Sequence, residues 1–340
     1  MAHNVVQAHP DGAAGRCLVI EGDGTAAVRA ALTDRPIAGT GTGEVLIRAE
    51  YSSLNYKDAL GVLGRAPIFK NLPIVAGIDV AGVVVESADE AVVPGDRVLV
   101  TGFGLGESVD GGYAEWVRVP SEWVVRLPDG LSTWEAMAIG TAGITSALAI
   151  HRLREHGVMP GGGPVAVSGA GGGSGSLAVA ILSTLGYDVA AFTGKARARE
   201  LLADLPGCVA SDRPDISSTK PLESAQWAGA VDSVGGDTLG WLLRTTAMGG
   251  SVATFGNAGG NSFTGSLFPF ILRSVNLLGI NTGWFDRSLR HELWERLAGE
   301  WKPQGLDALT LTIPLGEVVP GLQSLLDGEV VGRVVVDIQG

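Results

Sequence analysis

From Val165 onward, short apolar runs alternate with stretches of helical spacing. Val165–Ser168, Val189–Thr193, Ala230–Val234, Ser251–Phe255 and Val275–Ile280 have strand length, and apolar helical segments such as Leu177–Leu182 lie between them. Such alternation predicts a parallel sheet wrapped by helices. Residues 17 to about 130 read differently, as a β-rich region: Glu44–Arg48 and Val80–Val85 have strand composition, and Arg97–Val100 follows a Pro94-Gly95-Asp96 turn. Tyr113–Val119 alternates, which predicts a strand half-buried at a sheet surface. Ser132 and Glu135 have the spacing of a capping box and open a helical stretch. Gly140 and Gly143 interrupt it, and it resumes over Ile144–Glu155. After Trp284 an amphipathic helix is predicted through Trp301, carrying Arg287, Arg290, Glu292 and Glu295. The last thirty residues predict strand, helix and strand again, over Ala308–Ile313, Leu315–Leu326 and Arg333–Ile338. That ending suits a chain that returns to complete its first domain.

At 340 residues the chain is long enough for two domains. The expected division is a disordered tail over 1–16, a β-rich domain over 17–140 and 291–340, and a doubly wound parallel-sheet domain over 141–290. The fold class is therefore α/β.

The Val165–Ser176 stretch reads as a buried strand, a glycine turn and a helix start. Gly169, Gly172 and Gly175 stand three apart, a variant of the dinucleotide fingerprint. Such glycines allow a tight turn, close backbone approach to a pyrophosphate, and close packing of helix on strand. The helix N-terminus then offers free N–H groups to phosphate. With 51 glycines in the chain, about twice the usual share, the spacing alone is weak. The apolar helix after it and the returning strand Tyr187–Phe192 make it specific.

Charge and cysteine content narrow the class. A formal net charge of −12 argues against nucleic-acid or anionic-membrane partners. Two distant cysteines, Cys17 and Cys208, form no disulfide framework and suit a reducing cytoplasm. Residues 1–16 lack the apolar core of a signal peptide, and no apolar run is long enough to span a membrane. The histidines at 3, 9, 151, 156 and 291 form no ligand spacing with a cysteine or with one another, so no metal site is expected.

The second strand of the parallel region ends Phe192-Thr193-Gly194-Lys195 with no carboxylate at its tip. NAD sites usually place an acid there, and NADP sites a cation or hydroxyls. Thr193 and Lys195 therefore suit a 2′-phosphate, Arg213 is placed to approach it, and Arg197 and Arg199 read as solvated helix-face residues. The cofactor expected is NADPH. Without metal, a polarised carbonyl needs hydroxyls, amides or cations, and Tyr51–Asp58 is the best source. Asn55 and Tyr56 are its candidate catalytic residues. The alternative is that Tyr56 is an aromatic plug while Asn55 and Asp58 cap the next helix.

With these residues assembled, the chain resembles the zinc-independent medium-chain dehydrogenase/reductases, within them the acryloyl-CoA reductase branch whose members also carry quinone oxidoreductase names. The likeness runs from about Cys17 to Gly340 and rests on Ser52–Leu60, Gly77–Gly82, Ile139–Gly143, Gln226–Asp232 and Phe268–Arg273. Zinc relatives read Gly-His-Glu where this chain has Gly77-Ile78-Asp79, and Ile78 cannot bind metal. The resemblance implies a GroES-like catalytic domain completed by the C-terminus, a Rossmann domain, and NADPH in the cleft. It implies diphosphate contacts at Gly171, Gly172, Gly173 and Ser174, and 2′-phosphate contacts at Thr193, Gly194, Lys195 and Arg213. Tyr56, Thr141, Asn257, Ile271 and Thr282 match further cofactor-lining positions. Arg333 matches a family cation near the cleft, against the alternative of a surface cation on an edge strand. The chain departs from the family pattern in having Lys195 in place of arginine, Gly171 and Ser174 in place of serine and valine, and Ala76 in place of proline.

The activity this resemblance implies is NADPH-dependent reduction of the C=C bond of a short-chain 2-enoyl-CoA. Hydride would go to the β-carbon, and the enolate would be protonated by Tyr56 or water. Arg65 and Lys70 lie in a loop suited to coenzyme A phosphates. An NADPH:quinone oxidoreductase and a non-catalytic NADPH-binding protein, of sensor or crystallin type, are the alternatives. A homodimer is expected, by pairing of Rossmann sheet edges.

Overall fold

The computed structural model describes residues 13–22, 28–37 and 39–340, and within them the chain divides into two compact units. One comprises residues up to Thr141 together with Thr310–Gly340, and the other is Ala142–Leu309. Most of the tail expected over 1–16 lies outside the described residues, but Ala14–Arg16 are not tail, because they begin the first strand.

The first unit starts with β1 (Ala14–Gly22) and β2 (Val28–Pro36), paired antiparallel along their whole length. β3 (Glu44–Ser53) leads to helix α1 (Tyr56–Val62), and β4 (Ile74–Val75) then joins the outer edge of β1. β5 (Asp79–Ser87), β6 (Arg97–Thr101), β7 (Trp116–Pro120) and β8 (Val125–Arg126) follow. β7 alternates buried Val117 and Val119 with exposed Arg118, as its sequence predicts. Helix α2 (Thr133–Glu155) carries the chain into the second unit. Its start is a true capping box: the Ser132 and Glu135 side chains exchange hydrogen bonds with each other's backbone N–H. Gly140 breaks its helical dihedrals at φ 50°, whereas Gly143 remains within the helix.

The second unit is a six-stranded parallel sheet. In chain order it contains β9 (Val165–Val167), α3 (Gly173–Thr184), β10 (Val189–Phe192), α4 (Ala196–Ala203), β11 (Cys208–Ser211), β12 (Trp227–Asp232), α5 (Gly236–Thr245), β13 (Thr246–Thr254), α6 (Phe268–Arg273), β14 (Asn276–Gly279) and α7 (Arg287–Ala298). The strand order β11-β10-β9-β12-β13-β14 reverses direction between β9 and β12. Nucleotides bind at the carboxyl ends of strands beside such a switch point. β9 is apolar throughout because both its faces are covered, and α3 is buried from Gly175 to Ser183. Strand β11 is short, and Val209 is 68 % exposed.

The chain then returns to the first unit through β15 (Thr310–Pro314), α8 (Val318–Leu326) and β16 (Arg333–Asp337). β16 lies between β15 and β3. The second unit ends at Leu309 rather than at 290, because α7 buries Leu293, Trp294 and Leu297 and is followed by buried Trp301. Among the described residues no helix is long and apolar enough to cross a membrane.

Candidate active site

In the second unit, Gly169 follows β9 with φ 61°, a left-handed turn that costs glycine little. A Cβ at Gly175 would run into the Gly169 carbonyl, so that glycine permits the close packing of α3 on the turn. Gly172 caps α3 in extended conformation with no side chain in the way, leaving first-turn N–H groups for an anion. A Cβ at Gly171 would lie 2.5 Å from Thr193 Oγ1 and 3.3 Å from Lys195 Cδ. The glycine turn and the tip of β10 are therefore one surface, whose shape depends on missing side chains. The Thr193 hydroxyl accepts the Lys195 N–H at 3.2 Å. The Arg213 guanidinium crosses Gly194, where a Cβ would lie 2.9 Å from its Nε. Partial burial and the neighbouring Arg213 cation push the Lys195 ammonium below its usual range. Two cations held together in this way suit a multiply charged anion. These residues fit a dinucleotide bearing a 2′-phosphate.

Arg197 pairs with Glu200 on the surface. Arg199, read as solvated, instead donates to the Thr193 carbonyl at 3.0 Å and braces the strand tip. Asn257 lies beyond the carboxyl end of β13 and donates to Asn261. Thr282 meets the Thr145 hydroxyl at 2.8 Å. Ile271 is 66 % exposed on α6 and joins neither group.

Two organising residues of this unit escaped sequence reasoning. Asp232, fully buried at the end of β12, accepts from Ser168 Oγ, the Val234 and Gly235 N–H groups, and Thr254 Oγ1. It ties together the carboxyl ends of β9, β12 and β13. A carboxylate closing an apolar strand is the only signal it leaves in the sequence. Arg290, expected among the charges of an amphipathic helix, is buried. It donates to the Thr282 carbonyl at 2.7 Å and covers the Phe285 ring.

In the first unit, Tyr56 opens α1 and is 42 % exposed. Asn55 precedes it as N-cap, yet neither Asn55 nor Asp58 caps the helix with its side chain. Asn55 Nδ2 donates to Asp79 Oδ2 at 2.9 Å, and its Oδ1 faces Arg333. Asn55 is buried with both ends of its amide engaged. Asp79 is fully buried and also accepts from Ser53 Oγ, Thr141 N and Thr141 Oγ1. Thr141 is thus held within this cluster. Gly140 is required beside it, because a Cβ there would lie 2.6 Å from Asp79 Oδ2.

Arg333 is neither a surface cation nor on an edge strand. It is 3 % exposed, and its donors reach the carbonyls of Ala138, Leu54 and Met137, Ser53 Oγ and Asn55 Oδ1. Burial lowers its pKa while the Asp79 and Asp58 charges oppose that shift. Asp58 accepts from the Ile78 N–H and lies against the Tyr113 hydroxyl. Desolvation and the charge of Asp79 push its carboxyl up to about 7.

Comparison with known proteins matches this architecture. Residues 41–129 fit the alcohol dehydrogenase GroES-like domain. The acrylyl-CoA reductase AcuI of Ruegeria pomeroyi is 45% identical over 90% of this chain and 92% of its own length. YhfP of Bacillus subtilis, whose name is that of a quinone oxidoreductase, is 42% identical over 86% of this chain and 90% of its own. Its crystal structure with NAD bound superposes at a TM-score of 0.89, covering 96% of this chain and all of that one. The yhdH oxidoreductase of Salmonella enterica, crystallised with NADP, is 38% identical with a TM-score of 0.90, covering 95% of this chain and all of that one. The chain belongs to this zinc-independent medium-chain oxidoreductase family. The family's two parts, a GroES-like domain and a Rossmann sheet, are the two units described above. Ile78, an apolar side chain with no metal-ligating atom, is buried. Among the described residues no group of three or more His, Cys, Asp and Glu side chains is arranged to hold a metal ion.

Proposed function

We propose that this oxidoreductase uses NADPH to reduce the C=C bond of a short-chain 2-enoyl-CoA of the acryloyl-CoA kind. The observation that carries the reading is the Lys195–Arg213 cation pair around Gly194, in a chain 45% identical to a protein named acrylyl-CoA reductase. Relatives crystallise with either NAD or NADP, and the cation pair is what favours the phosphorylated cofactor here. The α3 N-terminus over Gly172–Ser174 receives the diphosphate, and Thr193, Lys195 and Arg213 the 2′-phosphate. Asn257 and Thr282 line the remainder of the cofactor's path, with Ile271 at its margin.

When bound, NADPH supplies the hydride that adds to the β-carbon of the substrate. The protein's part is orientation and charge. The Tyr56 hydroxyl donates a hydrogen bond to the thioester oxygen as enolate charge develops there, and the α-carbon takes a proton from Tyr56 or from water. Asn55, Asp79, Thr141 and Arg333 act behind Tyr56, fixing the loop from which α1 starts. The assembly is proposed to be a homodimer pairing edges of the parallel sheet, in a reducing cytoplasm where Cys17 and Cys208 stay free.

Steady-state NADPH oxidation with acryloyl-CoA, crotonyl-CoA and 1,4-benzoquinone tests this. Turnover of the thioesters in preference to the quinone is expected. Preference for the quinone moves the assignment to the activity in YhfP's name, and binding of NADPH without turnover of any of the three ends the enzymatic reading.

A further inference from the structure

The loop after α1 carries cations that no acid answers. Between Tyr56 and Asn71 the chain has three cations, Lys57, Arg65 and Lys70, and one carboxyl, Asp58, which is buried. Glu107 comes in from a distant loop, and its carboxylate pairs with Lys57 at 2.9 Å. Its carbonyl meanwhile accepts the Lys70 N–H at 2.8 Å. Arg65 and Lys70 are exposed and form no ion pair among the described residues. In a chain of net charge −12 this loop is a local reversal of sign.

The loop is also held in place. The N–H groups of Arg65 and Ala66 both donate to the Leu60 carbonyl. Ile68 and Phe69 lie on Gly61, where a Cβ would come within 2.8 Å of the Phe69 ring. Glu107 thus links the Lys70 backbone to the side chain of Lys57, in the first turn of the helix that Tyr56 opens. A seven-residue helix is about 10 Å long, shorter than the pantetheine arm separating a thioester from its diphosphate.

We infer that Arg65 and Lys70 are the anchor for the phosphates of the coenzyme A moiety. This rests on the proposed enoyl-CoA reading and adds the residues that would distinguish a coenzyme A thioester from a shorter one. Two exposed cations on a braced loop give charge-assisted contacts to phosphate, with an affinity that falls as salt is added.

The test compares wild type, the Arg65→Ala/Lys70→Ala double variant and a Lys220→Ala control with acryloyl-CoA and acryloyl-N-acetylcysteamine. Binding of free coenzyme A is measured alongside by calorimetry. The double variant should raise KM for acryloyl-CoA and weaken coenzyme A binding by about tenfold or more. KM for the short thioester and for NADPH should not change, and the control should match wild type. Equal KM values for acryloyl-CoA in wild type and double variant overturn the anchor, as does a rise confined to NADPH. Failure of the enoyl-CoA reading looks different, with no turnover of either thioester by wild type. In that case, coenzyme A binding that depends on the two cations still supports the anchor, and its absence overturns it.

Discussion

The Tyr113 hydroxyl stands 3.0 Å from Asp58 Oδ2 and 3.1 Å from the Ser53 carbonyl, both deep in the first unit. A hydroxyl has one proton, so it can donate to only one of them. If Asp58 is protonated, it donates to Tyr113, and Tyr113 donates to Ser53, which satisfies all three groups. If Asp58 is ionised, the carboxylate and the carbonyl compete.

This arrangement predicts the pH dependence of stability. The Asp58 carboxyl rises from 3.8 to about 7 on folding. Its protonated form therefore stabilises the fold at low pH, and that contribution is lost as pH rises through about 7. Asp58→Asn can accept from Ile78 and donate to Tyr113 without a charge. Relative to this variant, the Tm of wild type should fall as pH goes from about 4 to 7. A constant Tm difference across that range removes Asp58 as a titrating group.

Lys195→Ala should raise the KM for NADPH about tenfold, the scale of one charge-assisted phosphate contact. The KM for NADH should barely move. Arg213→Ala should act in the same direction and more weakly, because that side chain is exposed. Equal losses with both cofactors would place these cations away from the 2′-phosphate.

Tyr56→Phe should lower kcat/KM by about 10- to 100-fold while leaving NADPH affinity intact, since it removes one donor from a partly exposed position. Full kcat/KM in that variant leaves the hydroxyl without a catalytic role.

Gly175→Ala should destabilise the second unit by about 1–3 kcal/mol, measured by denaturant unfolding. The added methyl collides with the Gly169 carbonyl, and backbone on both sides must move. A variant of unchanged stability would mean that helix and turn are not packed as described.

Much of this was legible in the sequence. The glycine turn, five of the six strands of the parallel sheet and the Thr193–Lys195 tip follow from local spacing, whereas β11 and the order of strands within the sheet do not. The capping box at Ser132 was readable for the same reason. What could not be read depends on burial. Arg290 is indistinguishable from Arg287 by pattern, and only the fold puts one inside and leaves the other to solvent. Arg333 reads as a charge before a strand, whereas β15 and β3 enclose that strand on both sides. β2 has no clean alternation because it is mostly exposed and owes its conformation to β1. Local spacing puts the second boundary near 290, before Leu309, because an amphipathic helix does not announce which core its apolar face will join.

Because β16 comes last in the chain, synthesis imposes an order on the two units. Ala142–Leu309 is complete before the ribosome has made Thr310, so the parallel sheet can form while the chain is still tethered. The other unit must wait. Until Arg333 emerges, Ser53 and Asn55 lack the guanidinium they accept from, and β3 lacks the neighbour that pairs with Tyr51–Ser53. Truncation of the final eight residues would therefore leave the earlier-made half unable to close, with the later-made half already folded.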